Sequence, residues 1–490
     1  MKTFNRQKAN IYDSIVIGTG PSAEPVLNHL SKSNHKVCLI DSGNIFKKII
    51  NRINSKNPNL SKISPKKILD GFQFVYNSFK FFKKYKTTIN SKNFTYIYTK
   101  KTGGLSNFWG GGAYIWPDED LIKTTSIPIN KIKKSYKEII NRIPIVKISD
   151  VTRLSPLAKY LLNKFPFLKE SFLFINKENI FREKFEDSIF NQNLIWNSTI
   201  SIRNYLRFKN IFYFKNHIVF DIKKNNQIWV IKCFVGKKIK AYYAKNIFCC
   251  AGTINSTNLA FKALNHKKIK IKLKHNYISI IPFFSYSLLR DKGEKLLETP
   301  ELSFSYFDND IKRLISGTLL SSQFLIKKLD KFYIIRKFTF LKNILNFILN
   351  HFGFVIILAP SDFSNSHIEL ILKNGNTNIK IINTDSRRKI KLIFKKIKNN
   401  FKLNFSNKLL FFYLFQKISR TGSDIHYAGT MPEKNLCDSD INTDNLGQVI
   451  GLEGFYICDP SRLSFLSSLP HTLTSMAIVD ASMPLILQKC

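Results

Sequence analysis

The stretch that decides the fold is YDSIVIGTGPSAEPVLNHLSKSNHKVCLIDSG, Tyr12 to Gly43. An apolar run, SIVIG, leads straight into Gly18, and Gly20 follows one residue later. Gly18 permits a tight turn, Gly20 lets the backbone approach a pyrophosphate, and Ala23 is small enough for a helix to pack on the strand. A second apolar run, KVCLI, delivers Asp41, 21 residues after Gly20. An acidic side chain there is placed to accept hydrogen bonds from a ribose hydroxyl. The helix N-terminus adds free N–H groups and partial positive charge for phosphates. The reading is strand, turn, helix, strand around a dinucleotide, NAD or FAD. Asp41 is followed by a small residue and Gly43, the ending typical of flavoproteins.

The rest of the chain bounds that reading. Its 490 residues suffice for two or three packed lobes, and 44% hydrophobic residues exclude a disordered chain. The net charge is +44, from 77 Lys plus Arg against 33 Asp plus Glu. A polyanion partner is one explanation. Coding bias is preferred, because Lys, Asn, Ile, Phe and Tyr rise together and the lysines are spread along the chain; no nucleic-acid partner is expected. The seven cysteines form no CxxC pair, and several sit in apolar runs such as VCLI and IFCCAG. That usage fits a reducing, cytoplasmic setting with neither disulfide framework nor metal site. The first residues hold no apolar signal region, and no run of eighteen apolar residues occurs. Residues 324–358 mix aromatic, aliphatic and basic side chains. A helix followed by the buried strand GFVIIL is preferred there over a basic surface in peripheral contact with a membrane.

Along the chain, KKILDGFQFVYNSFKFF within residues 44–100 reads as helical, as do 128–145 and the region Asp150 to Phe174. Residues 211–250 read as consecutive strands, and AGTINST leads into a helix, NLAFKAL. SHIELILK and NIKIIN read as strands. IFCCAG resembles the returning strand of an FAD-binding fold, where the chain comes back from a second lobe.

Two further clusters carry chemistry. GGLSNFWGGG, Gly103 to Gly112, has too many glycines for a helix or strand, and suits backbone packed against something flat. GSDIHYAGTMP places His426 in a loop, and His471 follows Pro470 at the start of a helix. A histidine titrating near neutrality is the usual base for a hydroxyl proton.

In this order GTGPSA, LIDSG, GGLSNFWGG, AGTINS, HYAGT and GLEGFYICDPSRL resemble the glucose–methanol–choline (GMC) oxidoreductases. The matches cover the first 120 residues, about 210–260 and 420–490. The resemblance implies FAD bound in extended form and oxidation of a CH–OH group. A base removes the hydroxyl proton and hydride passes to flavin N5. His426 matches that base. The second active-site position falls on His471 or, with a one-residue shift, on Pro470. Gly103, Gly104, Ser106, Asn107, Trp109 and Gly110 match the loop beside the flavin, Val219 a strand position at the adenine end, and Asp459 the acidic residue near the ribityl chain. Some relatives tether FAD through a histidine before the tryptophan of this loop; here Phe108 stands there, which implies non-covalent FAD. An alcohol or sugar, including a glycan or glycolipid, is the expected substrate; no electron acceptor is indicated.

The architecture expected is α/β. An FAD-binding lobe with a parallel sheet is assembled from 1–125, 205–265 and 421–490. A substrate lobe with a largely antiparallel sheet is built from 126–204 and 266–420. Two other readings stand beside it: another flavoprotein class, such as a desaturase or hydroxylase, and a non-enzymatic basic binder with a decayed flavin site.

Overall fold

The computed structural model describes residues 10–43, 72–76, 80–82, 86–107, 109–150, 154, 156–165, 167–175, 195–285, 300–309, 312–321, 351–402 and 409–490. The strand Ile11–Ile17 forms because Ser14, Ile15, Val16 and Ile17 are all buried. Near-continuous burial is the mark of a strand covered on both faces. Parallel neighbours flank it, Val37–Ile40 on one side and the second half of Lys238–Cys249 on the other. Ile211–Phe214 and Phe455–Ile457 extend the parallel sheet at its two ends. The first half of Lys238–Cys249 turns aside into an antiparallel meander with Ile228–Val235 and His217–Asn225.

Register decides where this sheet can hold a ligand. Ile17 pairs with both Ile40 and Cys249, and Cys249 pairs with Ile457. The four strands therefore end together, and the residues just beyond them (Gly18, Asp41, Cys250, Asp459) come out along one edge. Ligands of open α/β sheets bind beyond the carboxyl ends of the strands.

Helices cover one face of this sheet. Ala23–Ser31 contributes Val26, Leu27 and Leu30 to a core shared with Val16, Val37, Leu39 and Phe248. The last helix, Thr472–Lys489, is buried nearly all round and lies between that helix and Ile129–Arg142. The latter is amphipathic, with Ile132, Tyr136 and Ile139 at helical spacing facing inward. The three helices are tied by a buried ionic cluster. Arg142 grips Glu24 with Nε and Nη2 at 2.9 and 3.2 Å and reaches Asp480 at 2.8 Å. Tyr205 donates to Glu24 at 2.7 Å, and His29 lies 3.3 Å from Asp480.

Two other large sheets occur among the described residues. One is antiparallel, in the order 409–411, 277–285, 352–359, 313–321, 302–308 and 168–170. Helix Arg387–Lys402 covers it through Ile390, Phe394 and Ile397. The other is five-stranded and includes Lys268–Leu273, Ser366–Lys373 and Asn376–Asn383. Its strand KIKIKL alternates exposed lysine with buried Ile269, Ile271 and Leu273, the pattern of a half-buried strand. The architecture is thus α/β, a parallel sheet joined to a largely antiparallel one, as the sequence implied.

The structure also corrects the element reading. The described part of KKILDGFQFVYNSFKFF is not helical: Phe72–Tyr76 and Lys80–Phe82 are strands, paired with Thr95–Thr99 and Thr87–Lys92. FQFVY alternates large apolar residues with others, a period-two signal. Of Asp150 to Phe174, Pro156–Lys164 is helical, while Leu168–Glu170 and Phe172–Phe174 are strands. The helix after AGTINST begins earlier, at Thr253. Residues 324–350 and Phe108 lie outside the described residues, and GFVIIL falls within the strand Phe352–Ala359. Among the described residues no helix is long and apolar enough to cross a membrane, and no His, Cys, Asp and Glu group is suited to a metal ion.

Candidate active site

A cavity of about 570 Å³ runs along the edge where the parallel strands end. Its lining includes Gly18, Gly20, Asp41 and Val219 together with His426 and His471. Its size falls within the range of about 300–1,000 Å³ usual for ligand sites.

Glycine is required at the first turn. Gly18 has φ +96°, and a Cβ there would lie 2.5 Å from the Cys250 carbonyl oxygen. The second glycine cluster folds back onto the first: a Cβ on Gly104 would stand 3.6 Å from Gly20 Cα. Thr19 joins them. Its hydroxyl accepts from the Gly103 N–H at 2.9 Å and donates to Asp41 at 2.5 Å. Asp41 also accepts from the Gly43 N–H at 2.5 Å. Burial raises the Asp41 pKa, against the pull of these hydrogen bonds. The N-terminus of helix Ala23–Ser31 opens on the cavity, and Ser22 makes no side-chain cap bond there. The N–H groups of Ala23 and Glu24 are taken by the Gly20 and Pro21 carbonyls and Pro25 has none, so the helix end offers a phosphate its partial positive charge rather than free first-turn donors.

Asp459 anchors the far strand. Its carboxylate accepts from the N–H of Gly252 at 2.9 Å, from that of Ser461 at 3.0 Å, and from the hydroxyls of Ser256 and Ser461. It ties the start of helix Thr253–Ala263 to the last strand. Trp109 donates its indole N–H to the Trp196 carbonyl at 2.9 Å and stacks on Phe174 at 5.2 Å. Ser106 donates to the Gly103 carbonyl at 2.6 Å.

The two histidines meet edge to face, with ring centroids 4.9 Å apart. His426 Nδ1 lies 3.2 Å from Asn276 Oδ1 and 4.0 Å from Asp424. Burial lowers the His426 pKa to about 4 and raises that of Asp424 to about 7. His471 is pushed well down by burial and by its neighbour His426. Its Nδ1 is buried with no hydrogen-bond partner among the described residues. Between Asp424 and His426 stands Ile425 at φ +65°. A β-branched residue in the left-handed region is a conformational outlier costing about 1–3 kcal/mol, and such residues cluster at functional sites.

The site brings together Gly18, Gly20, Asp41, Gly104, Ser106, Trp109, Gly110, Val219, Asp459, His426 and His471, all of which line the cavity. Ala23, Gly103 and Asn107 stand behind the wall. Ala23 packs in the helix–sheet core, Gly103 bonds Thr19, and Asn107 donates to the carbonyls of Thr102 and Gly104. His471, not Pro470, faces the cavity; the Pro470 carbonyl instead accepts from the Trp116 indole at 3.1 Å. Sequence reasoning missed Asn276 and Asp424. Asp424 stands two residues before His426 in the same quoted loop. Asn276 is 150 residues away and has no local signal.

The residues fit an extended dinucleotide carrying a flavin: a glycine cradle free of Cβ atoms and an unpartnered buried imidazole share one cavity. No family model and no curated protein matches the sequence. The fold is similar to that of pyridoxine 4-oxidase from Mesorbium loti, with a TM-score of 0.64 at 10% identity. That likeness covers 97% of this chain and 99% of the other. It is a likeness of fold.

Proposed function

We propose that this protein is an FAD-dependent oxidoreductase acting on the CH–OH group of an alcohol, built as a GMC-type enzyme. The observation that carries the reading is the single cavity joining the glycine cradle at Gly18 and Gly20 to the His426–His471 pair. Gly18, Gly20 and Asp41 would hold the adenosine and pyrophosphate part of FAD, with Val219 at the adenine end. Gly104, Ser106, Trp109, Gly110 and Asp459 would hold the flavin part. A bound flavin supplies the acceptor for the two electrons lost by the alcohol carbon.

The chain supplies the rest. His426 is neutral above pH of about 4, so it is ready to take the hydroxyl proton as the carbon is oxidised. His471 presents a second imidazole to the same space, suited to hydrogen-bond the substrate oxygen. Non-covalent binding follows from the resemblance at Phe108.

The test is an absorption spectrum of the purified protein, before and after denaturation. Flavin bands at roughly 370 and 450 nm that leave with the supernatant support the reading. Bleaching of the long-wavelength band by an alcohol, lost in His426→Ala, supports the chemistry. Protein that stays colourless with added FAD overturns it.

A further inference from the structure

We infer that Asn276 is a positioning residue that fixes His426 in the tautomer protonated at Nδ1, leaving the lone pair on Nε2. This rests on the reading of His426 as the base. The argument starts with the amide of Asn276, which is buried at 2% exposure. Its Nδ2 faces two carbonyl oxygens, those of Ala359 at 3.0 Å and Ser467 at 2.9 Å. Carbonyl oxygens only accept, so the NH₂ end must lie on that side. The Oδ1 end is then turned to His426 Nδ1 at 3.2 Å. An amide oxygen also only accepts, so Nδ1 must carry the proton. A neutral imidazole has one proton, and Nε2 is left as the acceptor.

The surroundings hold Asn276 in this pose. Its backbone N–H donates to Asp424 at 2.9 Å. The preceding residues pair with the loop that carries His426: Lys274 and Ala428 exchange backbone bonds at 2.9 and 3.0 Å. Asp424 lies 4.0 Å from His426 Nδ1, beyond a hydrogen bond but near enough to favour an imidazolium when its carboxyl is ionised. On the other side stands the His471 ring, whose own pKa is lowered by burial and by His426. Asn276 therefore selects the nitrogen that acts, and burial sets how readily it takes a proton.

The experiment reads the tautomer directly. Protein labelled with ¹⁵N at histidine ring nitrogens is compared with His426→Ala to assign the His426 signals. The expected spectrum has a protonated Nδ1 and an unprotonated Nε2. Asn276→Leu is expected to mix the two tautomers and to slow alcohol-driven flavin bleaching on the order of 10²-fold, with flavin content retained. Asn276→Asp, protonated so that it donates to one carbonyl and still accepts from Nδ1, is expected to recover part of that loss. An Nε2-protonated His426 in the unchanged protein overturns the inference. So does an Asn276→Leu variant with unaltered tautomer and rate. If the tautomer is as stated but no alcohol bleaches the flavin, the oxidoreductase reading fails and the role of Asn276 stands.

Discussion

At the scale of single residues, His426 combines burial with a defined set of neighbours. Its pKa, lowered to about 4, makes a direct prediction for pH dependence. The base form exists above that value, so the rate of flavin reduction should fall on an acid limb near pH 4. Stopped-flow reduction across pH would show it, and a limb near 6.5 would mean that the ring is solvated. The same shift affects stability. The unfolded chain takes up the histidine proton near pH 6.5, but the folded chain only near 4. Stability from this group is therefore intact above pH 6.5 and lost as pH falls towards 4. His275, fully buried and lowered to about 4, acts in the same direction. Asp424, raised to about 7, opposes them by losing stability as pH rises from about 3.9 to 7. His426→Gln removes the His426 contribution, so between pH 6.5 and 4.5 the melting temperature should show the parent losing more stability than the variant. Ile425 gives a separate prediction. Ile425→Gly removes the cost of φ +65°, partly offset by glycine's greater freedom when unfolded. It should leave the melting point within a few degrees while lowering turnover, because the loop then holds His426 less firmly.

At the scale of elements, the helix layer behind the sheet depends on a buried charge cluster. Glu24 has no exposed surface and Asp480 almost none, and Arg142 bridges them. Burial pushes the Asp480 pKa up, but the nearby His29 and the charge of Arg142 hold it below the usual carboxylate range. Removing one partner strands the other charges, which costs about 3–5 kcal/mol. Arg142→Leu should therefore lower the denaturation midpoint sharply, while Lys133→Ala, which breaks an exposed pair with Asp118, should leave it nearly unchanged. Equal effects in chemical denaturation would refute the assignment. The glycine turn behaves differently. Gly18→Ala places a methyl 2.5 Å from a backbone oxygen in a conformation that alanine avoids. Loss of flavin retention is expected, and a variant that binds FAD like the parent would contradict the cradle.

At the scale of the whole molecule, three distant stretches of chain meet along one sheet edge. FAD bound there would cross-link them, raising stability by about 2.7 kcal/mol at a hundredfold excess over Kd. Thermal melting with and without added FAD measures this, and an unchanged melting point would count against a folded cofactor site. The sequence by itself determined the parts with local signals. The turn at Gly18, the strands from 211 to 250 and the helix after Pro128 follow from glycine conformational freedom and from hydrophobic periodicity, which act between near neighbours in the chain. It misread FQFVY as helix, because short apolar runs serve either period and pairing with Thr95–Thr99 decides between them. The bond of Trp116 to the Pro470 carbonyl, the coupling of Thr19 to Gly103, and the grip of Asn276 on His426 were decided only by the tertiary structure. Each depends on which groups stand within about 3 Å across 80 or more residues of chain, and no local pattern encodes such a distance.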